Sequence, residues 1–181
     1  MEQQVTFFHG GGSAEDYEAD EKLVASLRSQ LGSGYSVQYP FLPDDGTPDL
    51  GRRRQISEEI SAGPDGLIVV AHSLGASMLL AYLSETEITK KIAGIFLLAT
   101  PFWEGKEDWV EPFRLKSGFA KKIDKKIALF FYHCQDDEEV PFAQLSSYKK
   151  QLSWAHYREF ATGGHQFGDD LTAVARDIMA I

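Results

Sequence analysis

The chain has 181 residues, 43% of them hydrophobic and 25% charged, with a formal net charge of −9: the balance of an ordinary globular protein, long enough for one domain over 1–181. The negative charge disfavours nucleic acid and anionic membrane surfaces as partners, and no apolar run approaches the roughly 20 residues needed to cross a bilayer. A single cysteine, Cys134, excludes an intrachain disulfide and a cysteine-built metal site; with no signal-peptide pattern ahead of Val5, the expected location is cytoplasmic.

Short apolar runs then alternate with longer amphipathic stretches. Strands are predicted over 5–8, 35–39, 67–71, 92–99, 127–133 and 155–160, and helices over 14–31, 49–60, 75–84, 142–152 and 169–181. Pro43-Asp44-Asp45-Gly46 and Gly63-Pro64-Asp65-Gly66 punctuate the series as turns. Repeated strand–helix units imply right-handed crossovers. The predicted fold is therefore a three-layer α/β/α sandwich with a mostly parallel sheet of about six strands. Residues 101–122 are long, aromatic and without clear periodicity, a short insertion in this scheme. Arg52-Arg53-Arg54 and the lysines of 116–126 read as solvated helix faces.

In a parallel sheet, ligands bind beyond the carboxyl ends of the strands, so the chemistry is sought in the loops that follow them. The third strand runs directly into Ala71-His72-Ser73-Leu74-Gly75. A serine on a sharp strand-to-helix turn, with small residues two positions before and after, is the layout of a nucleophile elbow. The competing reading is a serine that merely caps the following helix.

After the first strand comes His9-Gly10-Gly11-Gly12-Ser13, whose glycines let backbone N–H groups turn into a cavity and hold the oxygen of a tetrahedral intermediate. It lacks both the Walker and the dinucleotide glycine patterns. The fifth strand ends in Asp136-Asp137-Glu138-Glu139-Val140-Pro141, which offers a carboxylate to a histidine; Asp137 and Asp136 are the candidates. The sixth is followed by Gly163-Gly164-His165, and an ordinary imidazole, titrating near about 6.5, can take a serine proton and return it. His72 is expected to point away from the attacking oxygen, His9 to brace the glycine loop, and His133 and His156 to be structural. No histidine pair has zinc-enzyme spacing, so neither metal nor organic cofactor is expected.

On these residues the chain resembles the α/β-hydrolase superfamily over nearly its whole length. It is most similar to the small, nearly lidless serine hydrolases of the retinoblastoma-binding-protein-9 type. The resemblance rests on His9–Gly12, on Ala71–Gly75, on Asp137-x-x-Val140-Pro141 and on Gly163-Gly164-His165. It implies a compact fold without a large cap. In the family the triad acid stands three residues before the Val-Pro pair, which favours Asp137 over Asp136. The implied activity is a carboxylesterase-like serine hydrolase cleaving small esters through an acyl-enzyme, with Ser73, Asp137 and His165 as triad and Gly11 and Leu74 as oxyanion donors. Phe102, Trp103 and Trp109 are the expected substrate-binding residues, set against the reading that they only cover the sheet. Thioesterase or amidase action on the same triad, and an idle hydrolase fold serving as a binding protein, are the alternatives. The expected partner is a small-molecule ester and the expected state a monomer or homodimer. The retinoblastoma-binding motif Leu-x-Cys-x-Glu is missing around Cys134, so no such partner is implied.

Overall fold

The computed structural model describes residues 2–181, so only the first residue of the expected domain lies outside it. Six strands form one sheet: β1 Gln3–Phe8, β2 Tyr35–Gln38, β3 Leu67–His72, β4 Ile92–Leu98, β5 Ala128–Cys134 and β6 His156–Phe160. Their order is β2-β1-β3-β4-β5-β6, and every neighbouring pair is parallel. The chain steps from β1 outward to β2, then crosses back to lay β3 on the other side of β1. That reversal puts the ends of β1 and β3 side by side, at the switch point where open parallel sheets bind ligands.

Side-chain alternation divides the core in two. Phe8, Val69, Ala71, Leu97 and Phe131 face one layer, with Ile56 and Ile60 of helix α3 (Arg52–Ala62), Leu79 of helix α4 (Ser73–Glu85) and Tyr148 of helix α5 (Leu145–Gln151). Phe7, Ile68, Val70, Phe96 and Tyr132 face the other, with Leu23 and Leu27 of helix α2 (Glu21–Leu31) and Val174 and Ile178 of helix α6 (Thr172–Ile178). β3 is buried at every position, as its unbroken apolar run requires between two helical layers. The three-layer sandwich expected from the sequence is the fold.

Helix starts depart from the predicted ones where tertiary contacts override periodicity. The predicted helix over 14–31 breaks at Asp20 into α1 (Ala14–Ala19) and α2, because the Asp20 carboxylate turns into the protein to meet the loop after β1. Leu50 and Gly51 both have positive φ, so the helix predicted from 49 begins at Arg52. Phe167, Gly168 and Asp169 are likewise left-handed, and the last helix begins at Thr172 rather than at 169. Between β4 and β5, residues 101–122 hold only two single-turn helices, Glu111–Phe113 and Phe119–Lys121, and pack Phe102, Trp103, Phe113 and Phe119 against the α4 side of the core.

Candidate active site

The turn from β3 into α4 carries Ser73 at φ 51°, a left-handed conformation that a residue with a side chain adopts only under constraint. The constraint is the glycine loop lying against it. A Cβ on Gly10 would fall 3.1 Å from Ser73 Cβ, and one on Gly75 would collide with the His9 carbonyl and lie 3.0 Å from that of Phe8. Glycine at position 75 is thus what lets α4 start this close to the end of β1. His72, not Ser73, is the N-cap residue of the helix, with no side-chain cap, and the Ser73 hydroxyl makes no hydrogen bond among the described residues. The capping reading therefore does not describe this serine. Leu74, in the first turn of α4, has an N–H without an intrahelical acceptor.

Across the sheet ends, Asp137 places both carboxylate oxygens 3.1 Å from Nδ1 of His165. The acidic run is divided among distinct tasks. Asp136 accepts from the N–H groups of Gly163 (3.2 Å) and Gly164 (2.8 Å), and Glu138 from that of His165 (3.0 Å). Only Asp137 addresses the Nδ1 edge of the ring. Asp137 also accepts from Glu139 N and Val140 N at 2.9 and 2.8 Å and lies 3.2 Å from His133 Nε2. Burial by itself would push its carboxyl up; hydrogen bonds from His133, His165 and Val140 outweigh that and hold it well below the usual carboxylate range. On the other edge of the ring, Glu139 Oε2 is 3.5 Å from His165 Nε2. Ser73 and His165 line one cavity without being hydrogen-bonded to each other.

The glycine loop is held by groups that sequence reading passed over. Gly10 N–H donates to Asp20 (2.9 Å) and Gly12 N–H to Asp16 (3.0 Å); no acceptor among the described residues takes the Gly11 N–H. His9 donates from Nδ1 to the Gly10 carbonyl (2.6 Å) and accepts the Leu42 N–H on Nε2 (2.9 Å), which fixes it as a neutral tautomer. Burial, reinforced by the Arg52 charge, lowers its pKa to about 4. The expected bracing role of His9 is thus a pair of backbone contacts.

Arg52 corrects the reading of its triplet as solvated. Its side chain is fully buried and donates to the carbonyls of Gly11 and Leu42 and to Gln55 Oε1, because two buried carbonyls need a donor there. Burial brings its pKa down to about 10. Arg54 does stand in solvent, paired with Glu58 at 2.8 Å.

His72 lies at the cavity lining beside Ser73, with its ring in a buried contact with Asp20. Nδ1 donates to the Asp20 carboxylate at 2.9 Å and Nε2 to the His165 carbonyl at 3.0 Å. Both partners are acceptors, so both ring nitrogens carry protons. Burial disfavours that charge, but Asp20 more than offsets it and raises the His72 pKa, while the Asp20 carboxyl, which burial alone would raise, is lowered by His72 and by its donors Gly10 and Gln166.

The cavity at Ser73 has a volume of about 390 Å³ and is lined by Gly11, Leu74, Trp103, Phe113, Glu139 and His165, among others. Of the three expected substrate-binding residues, Trp103 lines it, its Nε1 donating to Ser77 Oγ at 2.9 Å. Phe102 packs edge-on against Tyr148 and faces a separate hollow, and Trp109 is 62% exposed behind Trp103. Phe113, tilted against Trp103 with ring centroids 5.1 Å apart, lines the cavity beside it. Among the described residues no group of three or more His, Cys, Asp or Glu side chains is arranged to hold a metal ion, and no helix is long and apolar enough to cross a membrane.

The sequence profile of the alpha/beta hydrolase family matches residues 7–179. The chain belongs to the alpha/beta hydrolase family. Its fold resembles that of the ydeN gene product from B. subtilis, with a TM-score of 0.74 and 20% identity over 98% of this chain and 97% of that one. It resembles bromoperoxidase from Bacillus anthracis (TM-score 0.69, 14% identity, 99% and 91% covered) and the thioesterase domain from the curacin biosynthetic pathway (0.71, 16%, 99% and 92%). At these identities the likeness is one of fold. No curated protein sequence matches the chain. Membership supports a hydrolase, and within this alpha/beta hydrolase the loops after β1, β3, β5 and β6 converge on the one cavity just described.

Proposed function

We propose that this alpha/beta hydrolase cleaves small esters through a covalent acyl-enzyme on Ser73. The observation that carries the reading is the convergence of a serine held at φ 51° with a histidine whose Nδ1 faces a carboxylate at 3.1 Å, both on one cavity. With its Nδ1–H donating to the Asp137 carboxylate, His165 keeps a lone pair on Nε2 for the Ser73 proton. Serine Oγ attacks the carbonyl carbon, and the N–H groups of Gly11 and Leu74 hold the resulting oxyanion. Collapse expels the alcohol, which takes the proton from His165. Water then enters, gives one proton to His165 and attacks the acyl carbon; the bond to Ser73 Oγ breaks, the acid leaves and His165 returns the proton to Ser73. The Ser73–His165 hydrogen bond forms as substrate closes the gap, as is common for catalytic contacts that are long before binding.

Labelling with a fluorophosphonate probe tests this reading. One adduct, located at Ser73 by mass spectrometry and lost in Ser73→Ala, is the expected result. Well-folded protein that takes no label would overturn it in favour of a non-catalytic binding role. Screening p-nitrophenyl esters, thioesters and anilides then reads the leaving group directly.

A further inference from the structure

We propose that Asp20 and His72 form a buried ion pair whose task is to position the glycine loop and the His165 loop together beneath the nucleophile. The inference rests on the functional reading above. The three groups that reading needs come from loops after β1, β3 and β6, separated by tens of residues and joined by no covalent link. The Asp20–His72 pair touches all three. Asp20 accepts the Gly10 N–H at 2.9 Å and the Gln166 side chain at 3.1 Å; His72, the residue before Ser73, donates to the His165 carbonyl at 3.0 Å.

The chemistry of the contacts requires the charge. A neutral imidazole has one donor and one acceptor, yet both partners of His72 accept. The Asp20 carboxylate meanwhile receives three donors and has none to give. The side chains of His72 and Asp20 are 1% and 2% exposed, so the pair acts without solvent screening. The other titratable groups facing the His72 ring are His165, with ring centroids 4.6 Å apart, and Asp137 beyond it.

The consequence falls on Gly11. Three successive glycines have no side chains with which to anchor themselves. Asp20 takes the N–H before Gly11 and Asp16 the one after, leaving the Gly11 N–H as the donor able to turn to an oxyanion. Asp20 and His72 are positioning residues in this account. They touch no reacting atom.

Asp20→Ala and Asp20→Asn separate positioning from mere stability. In Asp20→Asn the amide oxygen still accepts Gly10 N–H, and the NH2 donates to a neutral His72 whose Nε2 proton stays on the His165 carbonyl, while the Gln166 amide turns over to offer its otherwise unpaired Oε1. The expected result is that Asp20→Ala, measured folded and well below its melting temperature, labels Ser73 about 10²–10³-fold more slowly, the effect of losing an oxyanion donor. KM for a p-nitrophenyl ester should change little, and Asp20→Asn should recover to within about tenfold of the native rate. Nitrogen-15 NMR of the histidines supplies a readout free of catalysis. The native protein should show one ring that stays protonated at both nitrogens to a higher pH than an unfolded imidazole, a signal lost in Asp20→Asn. A folded Asp20→Ala that labels at the native rate, or a neutral His72 in the native spectrum, overturns the proposal. Should Asp20→Ala not fold, His72→Gln replaces it: one short amide cannot keep both Asp20 and the His165 carbonyl, and labelling at the native rate would be equally decisive. If the native protein does not label at all, the functional reading fails instead. The ion pair is then judged by the NMR signal and by whether Gly10 N–H loses exchange protection in the Asp20 variants.

Discussion

His9 and His72 serve the two ends of the Gly10 residue in different charge states, one neutral and one protonated. Neutral His9 donates to its carbonyl, and the His72 imidazolium fixes the Asp20 carboxylate that takes its N–H. One short loop thus depends on a neutral ring and a charged one, whose contributions are both complete near about pH 6.5.

The signs of the two dependences differ. His9 in the folded protein has a pKa of about 4, below the roughly 6.5 of an unfolded imidazole. Its contribution is complete above about pH 6.5 and is lost as pH falls toward 4, on the order of 3 kcal/mol in total. His72 is raised, so its contribution is complete below about pH 6.5 and lost as pH rises through its folded value. His9→Gln can keep both backbone contacts without titrating. Urea midpoints between pH 7 and 4 should fall in the native protein with a component missing from His9→Gln. Superimposable pH slopes for the two proteins would contradict the buried neutral ring.

Asp136 and Asp137 are adjacent, yet removal of charge should affect them very differently. Asp137→Asn can donate to the Nδ1 edge of His165 and so favours the wrong tautomer, a change that lowers kcat by about 10⁴ in serine proteases. Asp136 only accepts two loop N–H groups, one on each oxygen, and asparagine retains an acceptor for the shorter contact, from Gly164. Asp136→Asn should stay within about tenfold. Steady-state ester hydrolysis on the two variants checks this, and similar losses in both would mean that the acid has been misassigned.

Much of this was legible in the sequence because the signals were local. The apolar run into Ser73, the glycine two positions on, and the Gly-Gly before His165 are each a backbone requirement written within a few residues. Asp20, Arg52 and Phe113 were not legible, for a common reason. Asp20 sits in phase with a helical pattern, and its break is dictated by Gly10 and His72, the latter 52 residues away. Arg52 lies in a basic triplet that looks solvated until the Gly11 carbonyl, 41 residues distant, arrives above it. Residues 101–122 have no period, so nothing in their order says which aromatic ring faces the cavity.

Within that stretch, Trp103 and Trp109 provide a contrast. Trp103 lines the cavity and is tied to Ser77, whereas Trp109 leans on it from solvent, 62% exposed. Trp103→Ala should lower kcat/KM for medium-chain acyl esters by roughly tenfold relative to acetate, corresponding to about 1.4 kcal/mol of lost apolar contact. Trp109→Ala should change the ratio less than about twofold. A chain-length series on both variants decides it, and equal effects would show that the two indoles act only as cover.

The charge of the cavity wall leads to a prediction about the acyl group. Asp16, Asp20 and Glu139 contribute carboxylates to the lining, and no lysine or arginine does. Asp20 is neutralised by His72 and Asp16 is occupied by Gly12 and Ser13, which leaves Glu139, 65% exposed, as the charge an incoming substrate meets. An acyl chain ending in a carboxylate should therefore be disfavoured against a neutral chain of equal length by about tenfold, and the gap should narrow as salt screens an exposed group. Glu139→Gln should close most of it, chiefly through the anionic substrate. Comparing p-nitrophenyl butyrate with the p-nitrophenyl hemiester of succinate, on both proteins and at two ionic strengths, measures this. Equal preference in the native protein would mean that the reacting carbonyl binds with its acyl chain directed away from Glu139, toward Trp103 and Phe113.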